Sequence, residues 1–210
     1  MITKTVITKY ENEEGFEFTF EPIEQSLKIV KTKDGYEARY IIHDNIAEDP
    51  RDWDNLGHMF CFHKRYTFGD KYDETSEQFN DWDEIEKYLY KEKKAVICLP
   101  LFVYDHSTVS MRTYRHGQHS AWDCGQVGFI YVTAEDIQKC YNVKRISKTI
   151  LKRAEDVLTS EVDTYDKYLQ GDVYCLVKET YTKDKEKIDH DTVGGFFGYY
   201  DAVKALDTEI

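Results

Sequence analysis

The sequence predicts an α+β fold, mostly antiparallel sheet, with one long amphipathic helix over about residues 146–169 and two or three shorter helices packed on it. Three observations carry this. The first part of the chain alternates apolar and polar residues between turn dipeptides, the pattern of half-buried strands. Residues 146–169 place Ile150, Ala154, Val157, Leu158, Val162, Tyr165 and Leu169 on one helical face, and Gly171 stops the run. The longest apolar stretch, VICLPLFVY at 96–104, has the length of a buried strand and is far too short to span a bilayer.

The elements follow in order. Residues 3–10 (TKTVITKY) and 16–21 (FEFTFE) alternate, with Glu14-Gly15 as the turn between them. Residues 27–32 and 36–43 come next, and Asp34-Gly35 predicts a hairpin turn of type I′. These four stretches predict an antiparallel meander, a possible subdomain over 1–43 within a single domain spanning 1–210. Residues 44–56 read as an acidic loop and 57–66 as a strand. Residues 76–91 read as a helix with Phe79, Trp82, Ile85, Tyr88 and Leu89 on one face. Residues 96–105 form a central strand, where Pro100 predicts a bulge or an edge position because proline cannot donate to a ladder. Residues 127–132 give the next strand. Thr133 with Asp136 resembles a capping box at the start of a short helix. Late strands at 173–177 and 196–199 are joined by a charged loop, 182–191, and a short helix over 201–206 closes the chain.

Composition limits the function. The 17 Tyr, 11 Phe and 3 Trp of the 210 residues supply a core that needs no staples. Five Cys, an odd number with no CxxC, point to reduced thiols of a cytoplasm. The N-terminal residues show no apolar h-region and no small-residue cleavage site, so no secretion signal is expected. The net charge is −12 and unevenly spread. Residues 44–92 hold 14 acids and 6 bases, whereas 93–133 hold 4 bases and 2 acids. An acidic chain opposes phosphate backbones, so direct nucleic-acid binding is not expected. The sequence contains no P-loop, GxGxxG, HExxH or GxSxG, and Gly194-Gly195 lacks the strand-to-helix context of a phosphate loop. No cofactor is expected, and nothing signals an oligomeric state.

Polar and titratable groups crowd residues 104–126, YDHSTVSMRTYRHGQHSAWDCGQ, between two apolar strands. Three readings compete. Asp105, His106, His119 and Asp123 are residue types a divalent ion takes, although no His-x3-His pair is present. Cys124 could be a nucleophile with His106 or His119 as base, yet the neighbouring Asp123 works against a thiolate. The third reading is a turn bracketed by Gly125 and Gly128, covered by Trp122 and capped by Asp123, beside a cationic patch of Arg112, Arg115, His106, His116 and His119.

Four spaced strings, DWDNLGHMFCFHKRYTFGD, LPLFVYDHS, WDCGQVGFIYV and EVDTYDKYLQGDVY, together resemble a family of small proteins carried by bacteriophages and mobile elements. The resemblance covers about residues 40–200. In relatives the third string is closer to WDSGQVGYIYV, and Ser at the place of Cys124 speaks against a required thiol. The resemblance brings no catalytic residues. It implies a phage-encoded accessory protein in the host bacterial cytoplasm, of the kind that binds and blocks host machinery.

The leading expectation is therefore a non-enzymatic protein that binds and inhibits a bacterial defence or nucleic-acid-processing protein through acidic surface at Asp73, Glu74, Asp81 and Asp83. One alternative is a sponge for a small anionic nucleotide, bound by Tyr104, Arg112, Arg115, His116, Trp122 and Gln126. Another is a metal-dependent hydrolase or nuclease built on Asp105, His106, His119 and Asp123, with a histidine as general base and Arg112 or Arg115 steadying phosphate charge.

Overall fold

The structure, a computed structural model, describes residues 10–105, 108–115 and 124–208. In chain order the elements are β1 (Tyr10–Glu11), β2 (Glu17–Phe18), β3 (Lys28–Lys31), β4 (Gly35–His43), β5 (His58–Cys61), α1 (Trp82–Lys91), β6 (Ala95–Asp105), β7 (Val109–Arg112), β8 (Cys124–Thr133), α2 (Ala134–Tyr141), α3 (Lys148–Gln170), β9 (Val173–Thr182), β10 (Lys187–Phe197) and α4 (Tyr199–Thr208). All pairings are antiparallel, and the class is α+β with mostly sheet and one long helix. Of the first expected strand, only Tyr10 lies inside the described residues. No described helix is long and apolar enough to cross a membrane. Contacts divide the chain into two compact units, one made of the residues up to Ala47 together with those from Gly171 on, the other of Glu48–Gln170.

In the first unit a four-stranded sheet runs β10-β9-β4-β3, and β1 pairs with β2 apart from it. One sheet face buries Ala38, Tyr40, Val177 and Tyr181 with Phe16 and Phe18 of the β1–β2 segment, the rings meeting edge to face. The other buries Ile41, Tyr174 and Leu176 beneath Ala202, Ala205 and Leu206 of α4. Glu179, fully buried, accepts from Thr19 N (2.9 Å) and Tyr181 Oη (2.5 Å) and lies 3.4 Å from Lys187 Nζ. Burial pushes its pKa up, but these partners win and hold it below the usual carboxylate range.

Two local expectations are corrected in this unit. The β3–β4 turn is not of type I′, since neither Asp34 nor Gly35 has positive φ. Gly35 belongs to β4, where a Cβ would sit 1.9 Å from the Tyr181 carbonyl oxygen, so close strand approach demands the glycine. The charged stretch 182–191 is not a loop. A tight turn with Lys185 at φ 66° leads into β10, whose residues 187–195 are exposed because β10 is an edge strand.

In the second unit the sheet runs β5-β8-β6-β7. Alternation sorts its side chains. Met59, Leu101, Val103, Ile130 and Val132 pack with Ile137 of α2 and with Ala154, Leu158 and Val162 of α3. Phe60, Phe129 and Tyr131 face Ile85 and Leu89 of α1. Pro100 lies where β6 has β8 on one side and β7 has not yet begun to pair, and the β6–β8 register shifts at Leu101/Phe102. Both edge and bulge thus accommodate it. Thr133 and Asp136 form the reciprocal capping box of α2. The helix expected over 76–91 starts later: Ser76–Gln78 is a 3-10 turn, and α1 begins at Trp82 because the Asp81 side chain accepts from Glu84 N at 2.8 Å.

Candidate functional site

Three pieces of chain meet at one end of the second unit's sheet: the C-terminus of β6, the start of β8 and the segment that leaves β5. Antiparallel register dictates the meeting, since Tyr104 sits opposite Cys124 and Cys61 opposite Gly128. The expected strand 57–66 ends at Cys61. Beyond it, Phe62 N still donates to Val127 O at 2.7 Å, and the chain then turns. His63 Nδ1 makes that turn by accepting from Arg65 N (3.3 Å) and Tyr66 N (3.2 Å).

A cleft of about 480 Å³ lies here. Phe62, Val103 and Val127 form its apolar wall, and at Gly125 an added Cβ would meet nothing within 4 Å among the described residues beyond its chain neighbours. Its polar groups are His63, Lys64, Arg65, Asp105 and Gln126. Burial first, and the Arg65 charge second, lower the His63 pKa, so the ring is neutral at pH 7. With Nδ1 occupied as acceptor, the proton resides on Nε2, an assignment made from the hydrogen bonds. Arg65 is ion-paired with Asp105. Lys64 is exposed and its ammonium has no partner among the described residues. Gln126 Nε2 reaches the Gly128 carbonyl at 3.4 Å.

The structure sorts the residues singled out from sequence. Asp105 and Gln126 line the cleft. His106, His116, His119, Trp122 and Asp123 lie outside the described residues. Tyr104 is the last residue but one of β6, opposite Ser110 on one side and Cys124 on the other. Arg115 is exposed. Arg112 is not a free cation: its Nη2 lies 2.9 Å from Asp166, a carboxylate 4% exposed that also accepts from Met111 N. The turn expected over 125–128 is corrected to strand, because β8 runs from Cys124 and its irregularity is the register shift opposite Leu101/Phe102. Gly128 is required by close approach rather than by positive φ, as a Cβ would lie 2.1 Å from the Phe60 carbonyl oxygen. Cys124 is buried at the first residue of β8. Among the described residues no three His, Cys, Asp or Glu side chains come together as a metal site.

His63, Lys64 and Arg65 were missed as site residues. The alternation of Met59, Cys61 and His63 reads as one continuing strand, although three basic types in succession after Phe-Cys-Phe mark its exit.

A second surface surrounds α1. Asp73, Glu77, Asp81 and Asp83 are exposed. Asp81 is committed to capping the helix. Glu74 is taken inward: Lys93 Nζ lies 2.6 Å away and Tyr88 Oη donates at 2.5 Å, which together hold its pKa down at about 2. Beside these acids Phe79, Trp82 and Ile85 line a groove of about 410 Å³, to which Asp81 and Lys64 also contribute. No family model, curated protein or solved structure matches the chain.

Proposed function

We propose that the chain is a non-enzymatic binding protein that docks a basic partner surface on the acidic face around α1. The observation that carries this reading is the set Asp73, Glu77 and Asp83: three exposed carboxylates, without partners among the described residues, on the segment that also supplies the aromatic groove. The chemistry it suits is a Lys- or Arg-rich surface presenting an apolar side chain to Phe79, Trp82 and Ile85. Individual exposed ion pairs contribute little, on the order of 0–1 kcal/mol, so the acids steer and orient while the groove supplies buried area. The resemblance to phage-borne proteins supports a bacterial defence or nucleic-acid-processing protein as that partner, with inhibition as the outcome.

The test is affinity capture from bacterial lysate. The triple variant D73K/E77K/D83K leaves the Asp81 cap and the Glu74 pair intact. A control reverses three exposed acids of the first unit, Asp184, Asp189 and Asp191. A partner retained by the parent chain and the control, but lost by the α1 variant and at raised salt, supports the proposal. Equal retention by all three proteins, or retention by none, contradicts it.

A further inference from the structure

We infer that the cleft between the segment after β5 and the ends of β6 and β8 binds a phosphate-bearing small molecule of mononucleotide size, with Lys64 and the Nε2–H of His63 as phosphate donors. The cleft adjoins the α1 groove, since Phe62, His63 and Lys64 line both, but the inference does not rest on docking at the acidic face. Four observations carry the inference.

The first is shape. A volume of about 480 Å³ falls within the roughly 300–1,000 Å³ of small-molecule sites, and such sites combine an apolar wall with a few placed polar groups. Phe62, Val103 and Val127 are that wall. The second is charge. Two cations, Lys64 and Arg65, stand against one carboxylate, Asp105, so the described lining has a surplus of one positive charge on a chain of net charge −12. The third is donor chemistry. Lys64 has no acceptor among the described residues, and His63, its Nδ1 already used by two backbone N–H groups, offers only a donor. A dianionic phosphate accepts charge-assisted hydrogen bonds from several donors at once, stronger than those a neutral ligand accepts, and a cation is repelled by Lys64. The fourth is access. Gly125 is exposed, its φ is not positive, and among the described residues beyond its chain neighbours none comes within 4 Å of where its Cβ would be, so none of them blocks a ligand from the strand backbone there.

The Arg65–Asp105 pair sets the strength of the site. Asp105 holds the second cation at the cleft but also competes with the phosphate for it. Removing the carboxylate charge therefore strengthens binding.

Calorimetric titration of the full chain with AMP, adenosine and inorganic phosphate tests the inference. AMP binds, and adenosine binds at least about tenfold more weakly, the worth of one charge-assisted hydrogen bond. Inorganic phosphate is also weaker than AMP, because it leaves the apolar wall uncovered. K64A weakens AMP about tenfold, and D105N tightens it by releasing Arg65. G125L fills the cleft and abolishes AMP binding without lowering Tm. If G125L does melt lower, K64A alone decides, since an exposed lysine is substituted without structural cost. No AMP binding at millimolar concentration overturns the inference. So do adenosine or phosphate binding as tightly as AMP, and unchanged AMP affinity in K64A.

Discussion

Gly128 lies so close to Phe60 on the neighbouring strand that a Cβ would stand 2.1 Å from the Phe60 carbonyl oxygen and 2.7 Å from the Cys61 Cα. Backbone on both sides cannot yield as a flexible side chain would. Gly128→Ala is therefore expected to cost roughly 1–3 kcal/mol or more by forcing β5 and β8 apart. Gly125→Ala, three residues earlier, meets no described residue beyond its chain neighbours and should be neutral or raise stability by up to about 1 kcal/mol through a stiffer unfolded chain. Urea unfolding of both variants checks the contrast. Equal effects would mean that strand approach does not select Gly128.

Arg51 is the buried link of the second unit. Its side chain is 4% exposed, with Nε 2.8 Å from Asp70, Nη1 3.3 Å from Glu161 and Nη2 donating to the Gly57 carbonyl at 2.7 Å. Glu161 in turn accepts from Leu56 N at 2.7 Å, and Asp70 from Met59 N at 3.0 Å. The network ties the acidic loop, β5 and α3 into one arrangement. Arg51→Ala leaves two carboxylates without their cation and should cost about 3–5 kcal/mol in chemical denaturation. Arg51→Lys should not restore it, because an ammonium cannot form the forked contact. A loss below about 1 kcal/mol would make the network incidental.

Acid stability reports on Glu74. Its hydrogen bonds from Lys93 and Tyr88 hold its folded pKa at about 2, below the unfolded value of about 4.3. The sign follows from proton uptake: the unfolded chain binds the proton first as pH falls. The contribution is fully present above about pH 4.3 and is lost on descending toward pH 2. The stability difference between the parent chain and Glu74→Gln should therefore be largest near neutrality and shrink across that window. A difference independent of pH from 5 to 2, measured by denaturation at each pH, would remove the ion pair as its source.

Much of the fold was legible from sequence, for reasons that differ by element. The α3 stripe and the Thr133–Asp136 box are local, and local patterns survive folding. Pro100 was legible because its missing N–H admits few placements. What failed were features set by partners distant in the chain. Gly35 reads as a turn residue but is dictated by Tyr181, which is 146 positions away in the sequence. Arg112 reads as a free cation in a basic segment, yet its partner Asp166 sits on α3 among apolar neighbours, where an acid at helical spacing gives no sign of pairing inward. His63 reads as the next residue of an alternating strand, and only the capture of two backbone N–H groups by its ring shows that the strand has ended.

Hydrogen exchange of the chain with and without its captured partner tests the proposal that the acidic face around α1 is a docking surface. Docking there slows exchange at the amides of residues 75–91, which carry Asp81, Asp83, Phe79 and Trp82, and leaves the strands and helix of the first unit unchanged. The protection disappears in D73K/E77K/D83K at the same protein concentration. Protection confined to residues 173–208, or protection of 75–91 that survives the charge reversal, would contradict it.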